Sequence, residues 1–297
     1  MEPRVLAHMS GDKLLQEPYQ KGRDLYATTA SMVYGKKYGL SYEQCLEADD
    51  ESWRKIPQLS KHPRKLFKQG LLSTMYETSD YSLAGLLGIS VEEGAEFISD
   101  FHESFPTARQ YALDCIAFCD KYGYVETIDG RKRRFPNHVN TAKQYHRLHQ
   151  QIVRILGRDF SNIFAEKDVP YKLKQQYFPV MKEYNRVVRQ VVNARTQGTA
   201  ADVMKKAMIA LDQYLQTKDS DWKMIGTIHD EVLIEVPQSI TAEEFSELES
   251  CMTNCVHLDV PLKVDTEVAV RWSEGVSKSE FLDKRMNCFT EEGWLQK

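Results

Sequence analysis

The chain has 297 residues, of which 42% are hydrophobic, and a formal net charge of −4, so it is long enough for one large or two ordinary domains. No window reaches eighteen consecutive apolar residues, and the N-terminus lacks the basic-then-apolar layout of a secretion signal. These features argue against a membrane span and against export, and they predict a cytoplasmic protein.

The first half of the chain is predicted to be helical, because apolar residues recur there at helical spacing. Helices are expected over residues 12–35, 41–55, 92–105 and 107–122, and a further one begins near Pro63, which suits a first helical turn. Residues 123–137 alternate like strands around Asp129-Gly130, a strong hairpin signal.

The second half predicts a sheet backed by helices. After a basic, partly helical stretch, separate helices are expected over residues 183–193 and 199–216, and a hairpin follows at 227–236. Thr241 and Glu244 form a capping box for another helix, and residues 262–271 return as a strand. The fold class is therefore α+β.

Residues 131–190 are strongly basic, with 14 Lys or Arg against four acids. Tyr and Phe are interleaved with these cations, a pattern typical of a surface that tracks phosphates. A merely solvated helical face would have the same composition, so both interpretations stay open.

The six cysteines include two pairs at i, i+4 spacing. Cys251 and Cys255 with His257 could form a metal cluster, but both pairs lie in helix-patterned segments. We expect these cysteines to be small core residues instead.

Three groups of residues are candidates for a functional site. In the stretch TIHDEVLIEV, two adjacent carboxylates lie at the predicted tip of a hairpin, which indicates either a cation site or a surface turn. A second group is a stripe along a helix with two cations near the N-terminus of the helix. It indicates either a site for a polyphosphate or a solvated basic face. A second stripe places three hydrogen-bonding side chains along another helix. The residues are His229, Asp230 and Glu231; Arg64, Lys68, Leu72 and Tyr76; and Arg189, Asn193 and Gln197.

Together these elements resemble the family A (polymerase I-like) DNA polymerases. HPRKLFKQGLLSTMY is similar to the family's motif B, NARTQGTAADVMKKAMIAL to the helix before motif C, and TIHDEVLIEVP to motif C. The N-terminal residues resemble the end of motif A and the helices after it, and PLKVDTEVAVRWSEG resembles the closing strand. The resemblance covers roughly residues 1–137 and 184–276.

The resemblance implies a right-hand polymerase architecture of helical fingers and a palm with an antiparallel sheet. Residues 1–20 would hold the end of the motif A strand and the palm–fingers junction. The fingers would span 21–137, a basic insertion 138–183, the palm with motif C 184–276, and a short tail 277–297. The long insertion is either an extra DNA-tracking element or a surface insertion.

The resemblance also implies a two-metal nucleotidyl transfer from dNTPs to a primer 3′-hydroxyl on a DNA template, with two Mg²⁺ ions as cofactors. Asp230 matches the motif C metal ligand, and Glu231 matches its auxiliary acid. Lys68 would bind phosphates and act as a general acid for pyrophosphate.

The other matches concern the nucleotide and the DNA. Around the nucleotide, Arg64 and Lys68 would bind phosphates, and Tyr76 would pack at the nascent base pair. Glu2 together with Tyr76 would wall off the ribose 2′ side. On the DNA, they imply contacts to the minor groove and the primer terminus. The nucleotide residues are Glu2, Tyr26, Arg64, Lys68, Leu72 and Tyr76, and the DNA residues are Arg189, Asn193, Gln197 and His229.

Three residues differ from the family pattern. Tyr26 replaces a histidine that contacts phosphate, and its phenol can still donate one hydrogen bond. Leu72 replaces an aromatic residue, which should alter tolerance for sugars lacking a 3′-hydroxyl. Glu77 replaces a glycine.

The metal-bridging aspartate of motif A is not in this sequence. Motif A reads Asp-x-Ser-x-x-Glu, so with Glu2 as its last residue the aspartate falls four positions before Met1. We therefore expect an N-terminal polypeptide to supply this aspartate and the thumb. A split or intron-interrupted bacteriophage polymerase gene would produce this arrangement, and the protein would then work in the cytoplasm of a bacterial host.

Three functions remain open. The first is the C-terminal part of a DNA-directed DNA polymerase, inactive as an isolated fragment. The second is a catalytically inactive DNA-binding remnant. The third is a single-subunit RNA polymerase, against which Glu2 argues because its carboxylate leaves no room for a ribose hydroxyl.

Overall fold

The structure is a computed structural model that describes residues 1–160, 162–272 and 274–296. The chain divides into an N-terminal unit, Glu2–Thr199, and a C-terminal unit, Met1 with Ala200–Lys297, and each is described by itself. No helix among the described residues is long and apolar enough to cross a membrane.

The N-terminal unit is mainly helical. A short antiparallel hairpin follows its first eight α-helices, with Gly130 at a φ of 79° in the predicted turn. In chain order the elements are α1 (Glu2–Ser10), α2 (Lys13–Gln20), α3 (Leu25–Tyr38), α4 (Tyr42–Leu46), a 3-10 turn (Ser52–Lys55), α5 (Pro63–Met75), α6 (Asp80–Leu87), α7 (Val91–Ser104), α8 (Pro106–Tyr122), β1 (Tyr124–Glu126), β2 (Lys132–Arg134), α9 (His138–Leu156) and the first part of α10 (Tyr171–Leu215).

Two of the predicted helices are each interrupted. The helix expected over 12–35 is two helices, because the chain turns at Gly22, whose φ is 63°, and Asp24 then caps α3 by accepting from the Ala27 amide at 2.8 Å. The helix expected over 41–55 ends with α4 at Leu46. An Asp50 carboxylate that accepts from the Ser52 amide at 2.7 Å starts a separate 3-10 turn.

Glu2 begins a helix and does not end a strand, so this detail of the predicted 1–20 segment is wrong. Pro3 sits in the first turn of α1, where its missing N–H costs nothing and its fixed φ suits a helix. Val5, Leu6 and Ala7 then bury the apolar face of the helix.

The two helices expected over 183–193 and 199–216 are one continuous helix, α10. Gly198 lies where the break was predicted, but it serves close packing. A Cβ at this position would lie 2.7 Å from the Thr127 methyl carbon. The Arg131 guanidinium donates to the Gly198 carbonyl at 2.8 Å, so the β1–β2 hairpin packs closely against the helix.

One carboxylate joins three helices of the N-terminal unit. Asp120 on α8 accepts from His138 and His146 on α9, at 2.7 and 2.8 Å, and from the Tyr184 hydroxyl on α10, at 3.0 Å. Burial alone would raise the pKa of Asp120, but these hydrogen bonds outweigh burial and lower it. The carboxylate therefore anchors α9 and α10 to the rest of the unit.

We expect Asp120→Ala to lower the free energy of unfolding of this unit by about 2–4 kcal/mol, because it leaves the fully buried His138 ring without its partner. Urea denaturation followed by circular dichroism measures this loss. Asp114→Ala removes an exposed acid of the same helix and is the control. Equal losses of unfolding free energy in the two variants would contradict the anchoring role of Asp120.

The C-terminal unit contains the predicted acidic hairpin and capped helix. Thr241 and Glu244 form the predicted capping box at the start of α11. Of the strand expected over 262–271, only two residues pair with another strand. After the end of α10, the elements are β3 (Lys223–Ile228), β4 (Glu231–Glu235), α11 (Ala242–Thr253), β5 (Glu267–Val268), β6 (Val276–Ser277), α12 (Lys278–Lys284) and a 3-10 turn (Arg285–Cys288). The helical first half and small antiparallel sheets confirm the α+β class.

The segment expected to be a charged tail folds into the core of the C-terminal unit. Phe281 and Phe289 are buried in the same cluster as Phe245 and Leu248 of α11. Lys278 also binds both carboxylate oxygens of Glu249 at 2.7 Å.

We expect Phe281→Ala to destabilise the C-terminal unit by about 3–5 kcal/mol, because it empties a site in which the ring is 3% exposed. Thermal and urea unfolding measure the loss. Trp272→Ala removes a side chain that is 80% exposed in the same unit, so it should change stability by less than about 0.5 kcal/mol. A similar small change for Phe281 would show that the segment does not contribute to the core.

Candidate active site

The acidic tip predicted from the sequence is present in the C-terminal unit. β3 and β4 pair in an antiparallel register that ends with Ile228 opposite Glu231, which leaves His229 and Asp230 as the loop. Asp230 is 63% exposed, and its Oδ2 lies 3.4 Å from the Met1 amino nitrogen. Glu231 is also exposed. Two accessible carboxylates therefore lie side by side at the end of the hairpin.

His229 adopts a left-handed backbone conformation, with a φ of 56°. Two-residue hairpin loops of the favoured types need a positive φ at their first residue, which is usually glycine or asparagine. A histidine here costs about 1 kcal/mol or more, and such strain is concentrated at functional sites. The loop geometry holds His229 exposed, directly beside Asp230.

Carboxylate oxygens are the ligands that Mg²⁺ prefers, so Asp230 and Glu231 fit part of a magnesium site. Among the described residues, however, no group of three His, Cys, Asp or Glu side chains is arranged to hold a metal. The hairpin tip thus provides two suitable metal ligands but not a complete ligand set among the described residues. The alternative cluster of Cys251, Cys255 and His257 forms no such group among the described residues either.

The cationic stripe lies on α5 of the N-terminal unit. The helix starts at Pro63, so Arg64 lies in its first turn, and Lys68 follows one turn later. Lys68 is exposed and forms no ion pair within the described part of the chain. Leu72 is half-buried, and Tyr76 is the residue that caps the end of the helix.

Arg64 already has a carboxylate partner. Its Nε and Nη2 donate to Oδ1 and Oδ2 of Asp24 at 3.1 and 2.7 Å, a two-pronged contact. Burial alone would raise the pKa of Asp24, but the hydrogen bonds from Arg64 and the Ala27 amide outweigh it and lower the pKa. Asp24 therefore stays ionised and would compete with phosphate for Arg64. Asp24 was not among the site residues predicted from the sequence.

Tyr26 lies in the first turn of α3, close to this pair. Burial raises its pKa, and the Asp24 carboxylate raises it further. The phenol is therefore protonated at neutral pH and available as a hydrogen-bond donor. Arg64, Asp24 and Tyr26 are thus brought together, as the phosphate-binding prediction requires for Arg64 and Tyr26.

Glu2 and Tyr76 are also brought together, although they are 74 residues apart. The Tyr76 hydroxyl donates to Oε2 of Glu2 at 3.0 Å. Burial and the adjacent Glu2 carboxylate raise the pKa of Tyr76, so the phenol keeps its proton. Next along the chain, Glu77 has a φ of 57° and forms an ion pair with Arg109. This half-buried pair at the position of the family's glycine was not predicted.

The third predicted set lies on one side of α10. Arg189 and Gln197 are exposed, and Asn193 is half-buried with its Oδ1 atom buried and without a hydrogen-bond partner in the described residues. At about 100° per residue, the three side chains fall within one sector of the helix surface. They form a polar row along one side of the helix.

Three comparisons bear on these sites. A family model described as DNA polymerase family A matches residues 1–274. DNA polymerase I of Streptococcus pneumoniae is 29% identical over 274 residues, which are 92% of this chain and 25% of that protein. DNA polymerase I of Lactococcus lactis is 28% identical over 275 residues, with the same shares covered. The chain thus spans about a quarter of the length of these relatives.

A solved structure is also similar. It is the POL domain of Pol1 from M. smegmatis, in complex with DNA primer-template and dNTP. The TM-score is 0.62 at 27% identity, and the match covers 88% of this chain and 36% of the other.

Proposed function

Because this chain belongs to DNA polymerase family A, we propose that it is part of a DNA-directed DNA polymerase that adds nucleotides from dNTPs to a primer 3′-hydroxyl. The observation that carries the proposal is the family match over residues 1–274, which includes every predicted site residue. The similarity to a polymerase domain solved with primer-template and dNTP supports the same substrates.

In this proposal the N-terminal unit supplies the fingers, over residues 21–137, and holds the incoming nucleotide. Lys68 and Arg64 bind its phosphates, and Lys68 donates a proton to the leaving pyrophosphate. Arg64 must exchange the Asp24 carboxylate for phosphate, so nucleotide binding includes the release of one ion pair. Leu72 and Tyr76 contact the nascent base pair, and Tyr26 donates to a phosphate oxygen.

Residues 184–276 form the palm in the same proposal, and its acidic tip binds metal. Asp230 and Glu231 would hold Mg²⁺ ions, which when bound lower the pKa of the primer hydroxyl and stabilise the leaving phosphates. His229 positions the primer-terminal nucleotide. Arg189, Asn193 and Gln197 contact the minor groove, where acceptors occur in every base pair.

The reaction needs one carboxylate that the 297 residues do not contain. We propose that a segment outside this sequence supplies the motif A aspartate and the thumb. In the C-terminal unit, the Met1 amino group lies 3.4 Å from Asp230, so a polypeptide extending to Met1 would pass close to the acidic tip.

Primer extension tests the proposal. The chain is assayed alone and with a polypeptide that supplies the upstream part of a family A polymerase, using dNTPs or rNTPs. Template-dependent extension with dNTPs in the combined sample, and none by either part alone, is expected. Equal use of rNTPs would favour an RNA polymerase.

A second candidate is a catalytically inactive DNA-binding remnant. The incomplete metal set among the described residues is compatible with it, as it is with the first proposal. DNA binding without extension in any combination would support it.

A further inference from the structure

The basic insertion folds as an antiparallel pair of helices, α9 and the first part of α10. The Tyr145 and Tyr184 rings stack 4.0 Å apart, and His149 Nδ1 lies 3.0 Å from the Tyr177 hydroxyl. Because a later residue of α9 meets an earlier residue of α10, the two helices run in opposite directions. Ile152 and Leu173 lie in the buried cluster between them.

Since α10 is continuous, the insertion and the predicted DNA-contacting row lie on the same helix. Leu173, Tyr177, Tyr184 and Val187 are buried and define its inner side. At about 100° per residue, the opposite side is an outer face that falls within a sector of about 100°. This outer face includes Lys172, Gln175, Lys182, Arg186, Arg189, Asn193 and Gln197, and the same sector also contains Tyr171, Pro179 and Gln190.

The outer face contains no acidic residue. Lys172, Lys182 and Arg189 are exposed, and none of them forms an ion pair with any described residue. Arg186 is held by Glu183, which lies at the edge of the face, through contacts of 2.8 and 2.6 Å. A helix rises about 1.5 Å per residue, so the cations from Lys172 to Arg189 extend over about 25 Å. That length corresponds to about seven base pairs of duplex DNA.

We propose that the outer face of α10 binds the phosphate backbone of the DNA duplex and extends the contact made by Arg189, Asn193 and Gln197 as far as Lys172. This inference rests on the proposed function. It assigns the insertion a specific surface, because α10 continues as one helix, with Pro179 inside it, from the row of Arg189, Asn193 and Gln197 into the insertion. Lys172 and Lys182 are the phosphate-binding residues that it adds.

The other helix of the pair provides a matched control. Lys143 and Arg147 are exposed on α9 and form no ion pair among the described residues. They lie about 160° around α9 from Tyr145, which packs against α10, so they face away from the outer face of α10. A Lys143→Gln/Arg147→Gln variant loses the same charge as a Lys172→Gln/Lys182→Gln variant but leaves the outer face intact.

Fluorescence anisotropy with labelled primer-template DNA tests the inference over a range of salt concentrations. Each phosphate contact contributes about 0.9 to the slope of log K against log salt, so Lys172→Gln/Lys182→Gln should reduce the slope by about 1.8. Its affinity near physiological salt should fall on the order of tenfold, whereas the α9 variant should change little. Unchanged thermal unfolding of both variants shows that they are folded.

Duplex length provides a second readout. Lengthening the duplex by about seven base pairs should strengthen binding by the unmodified chain but not by Lys172→Gln/Lys182→Gln. Equal losses of DNA affinity in the two double variants would overturn the inference. So would an affinity that rises only when the single-stranded template, and not the duplex, is lengthened. If Arg189→Ala weakens binding while Lys172→Gln/Lys182→Gln does not, only this inference fails. If the unmodified chain does not bind primer-template even together with the upstream polypeptide, the proposed function fails with it.

Discussion

Asp230→Ala is expected to reduce primer extension at least about 10³-fold when the chain is assayed with the upstream polypeptide. A metal ion that stabilises developing charge contributes several kcal/mol, and each 1.36 kcal/mol is tenfold in rate. Asp230 is the accessible carboxylate at the hairpin tip that matches the motif C ligand, and it is 63% exposed. Its removal therefore takes away a ligand and leaves the hairpin without a buried defect.

Glu235→Gln is the matched control, because it neutralises another exposed carboxylate of the same hairpin, away from the tip. Single-turnover extension and primer-template affinity are measured on both variants. Asp230→Ala should bind DNA nearly as well as the unmodified chain, while Glu235→Gln should extend normally. Normal extension by Asp230→Ala would show that Asp230 is not a required metal ligand. The central element of the proposed mechanism would then be wrong.

The acidic hairpin could be predicted from the sequence because its signals are local. Alternating apolar residues on both sides of His229 and Asp230 determine the strands, and the two-residue loop determines the register. The capping box of Thr241 and Glu244 is equally local, and the structure confirms it. Elements defined by neighbours within a few residues are those that sequence patterns predict best.

The break predicted in α10 shows where local signals fail. Gly198 weakens a helix by its intrinsic propensity, yet the structure uses it to let the Thr127 side chain approach the backbone. The loss in helix propensity is offset by packing against residues about 70 positions earlier. Nothing within the helix itself indicates that partner.

Local sequence signals also fail to show the partner of Arg64. The resemblance identifies Arg64 as a phosphate ligand, but its carboxylate partner Asp24 lies 40 residues away and looks like an ordinary helix cap. Only the tertiary structure shows that one carboxylate performs both tasks. The Glu2–Tyr76 pair, in contrast, was predicted through the family match, and the structure confirms that they are in contact.

The Glu2–Tyr76 contact predicts how the protein selects the sugar. We expect Glu2→Ala to increase ribonucleotide incorporation, relative to deoxyribonucleotide incorporation, on the order of 10²-fold. In the proposed function the carboxylate would occupy the place that a 2′-hydroxyl needs, and the Tyr76 hydroxyl donates to this carboxylate at 3.0 Å. Truncation leaves space for the ribose. Incorporation of single rNTPs and dNTPs by the assembled polymerase measures the ratio.

Two further variants separate shape from hydrogen bonding. Glu2→Gln keeps the size of the side chain and an oxygen acceptor, so it should retain most of the discrimination. Tyr76→Phe keeps the ring but removes the hydroxyl that donates to the carboxylate. It should therefore lose less discrimination between rNTPs and dNTPs than Glu2→Ala does. Because burial raises the pKa of Tyr76, the phenol stays protonated and the unmodified ratio should not change between about pH 6 and pH 9. If Glu2→Ala discriminates as strongly as the unmodified protein, the selection must be made by other residues.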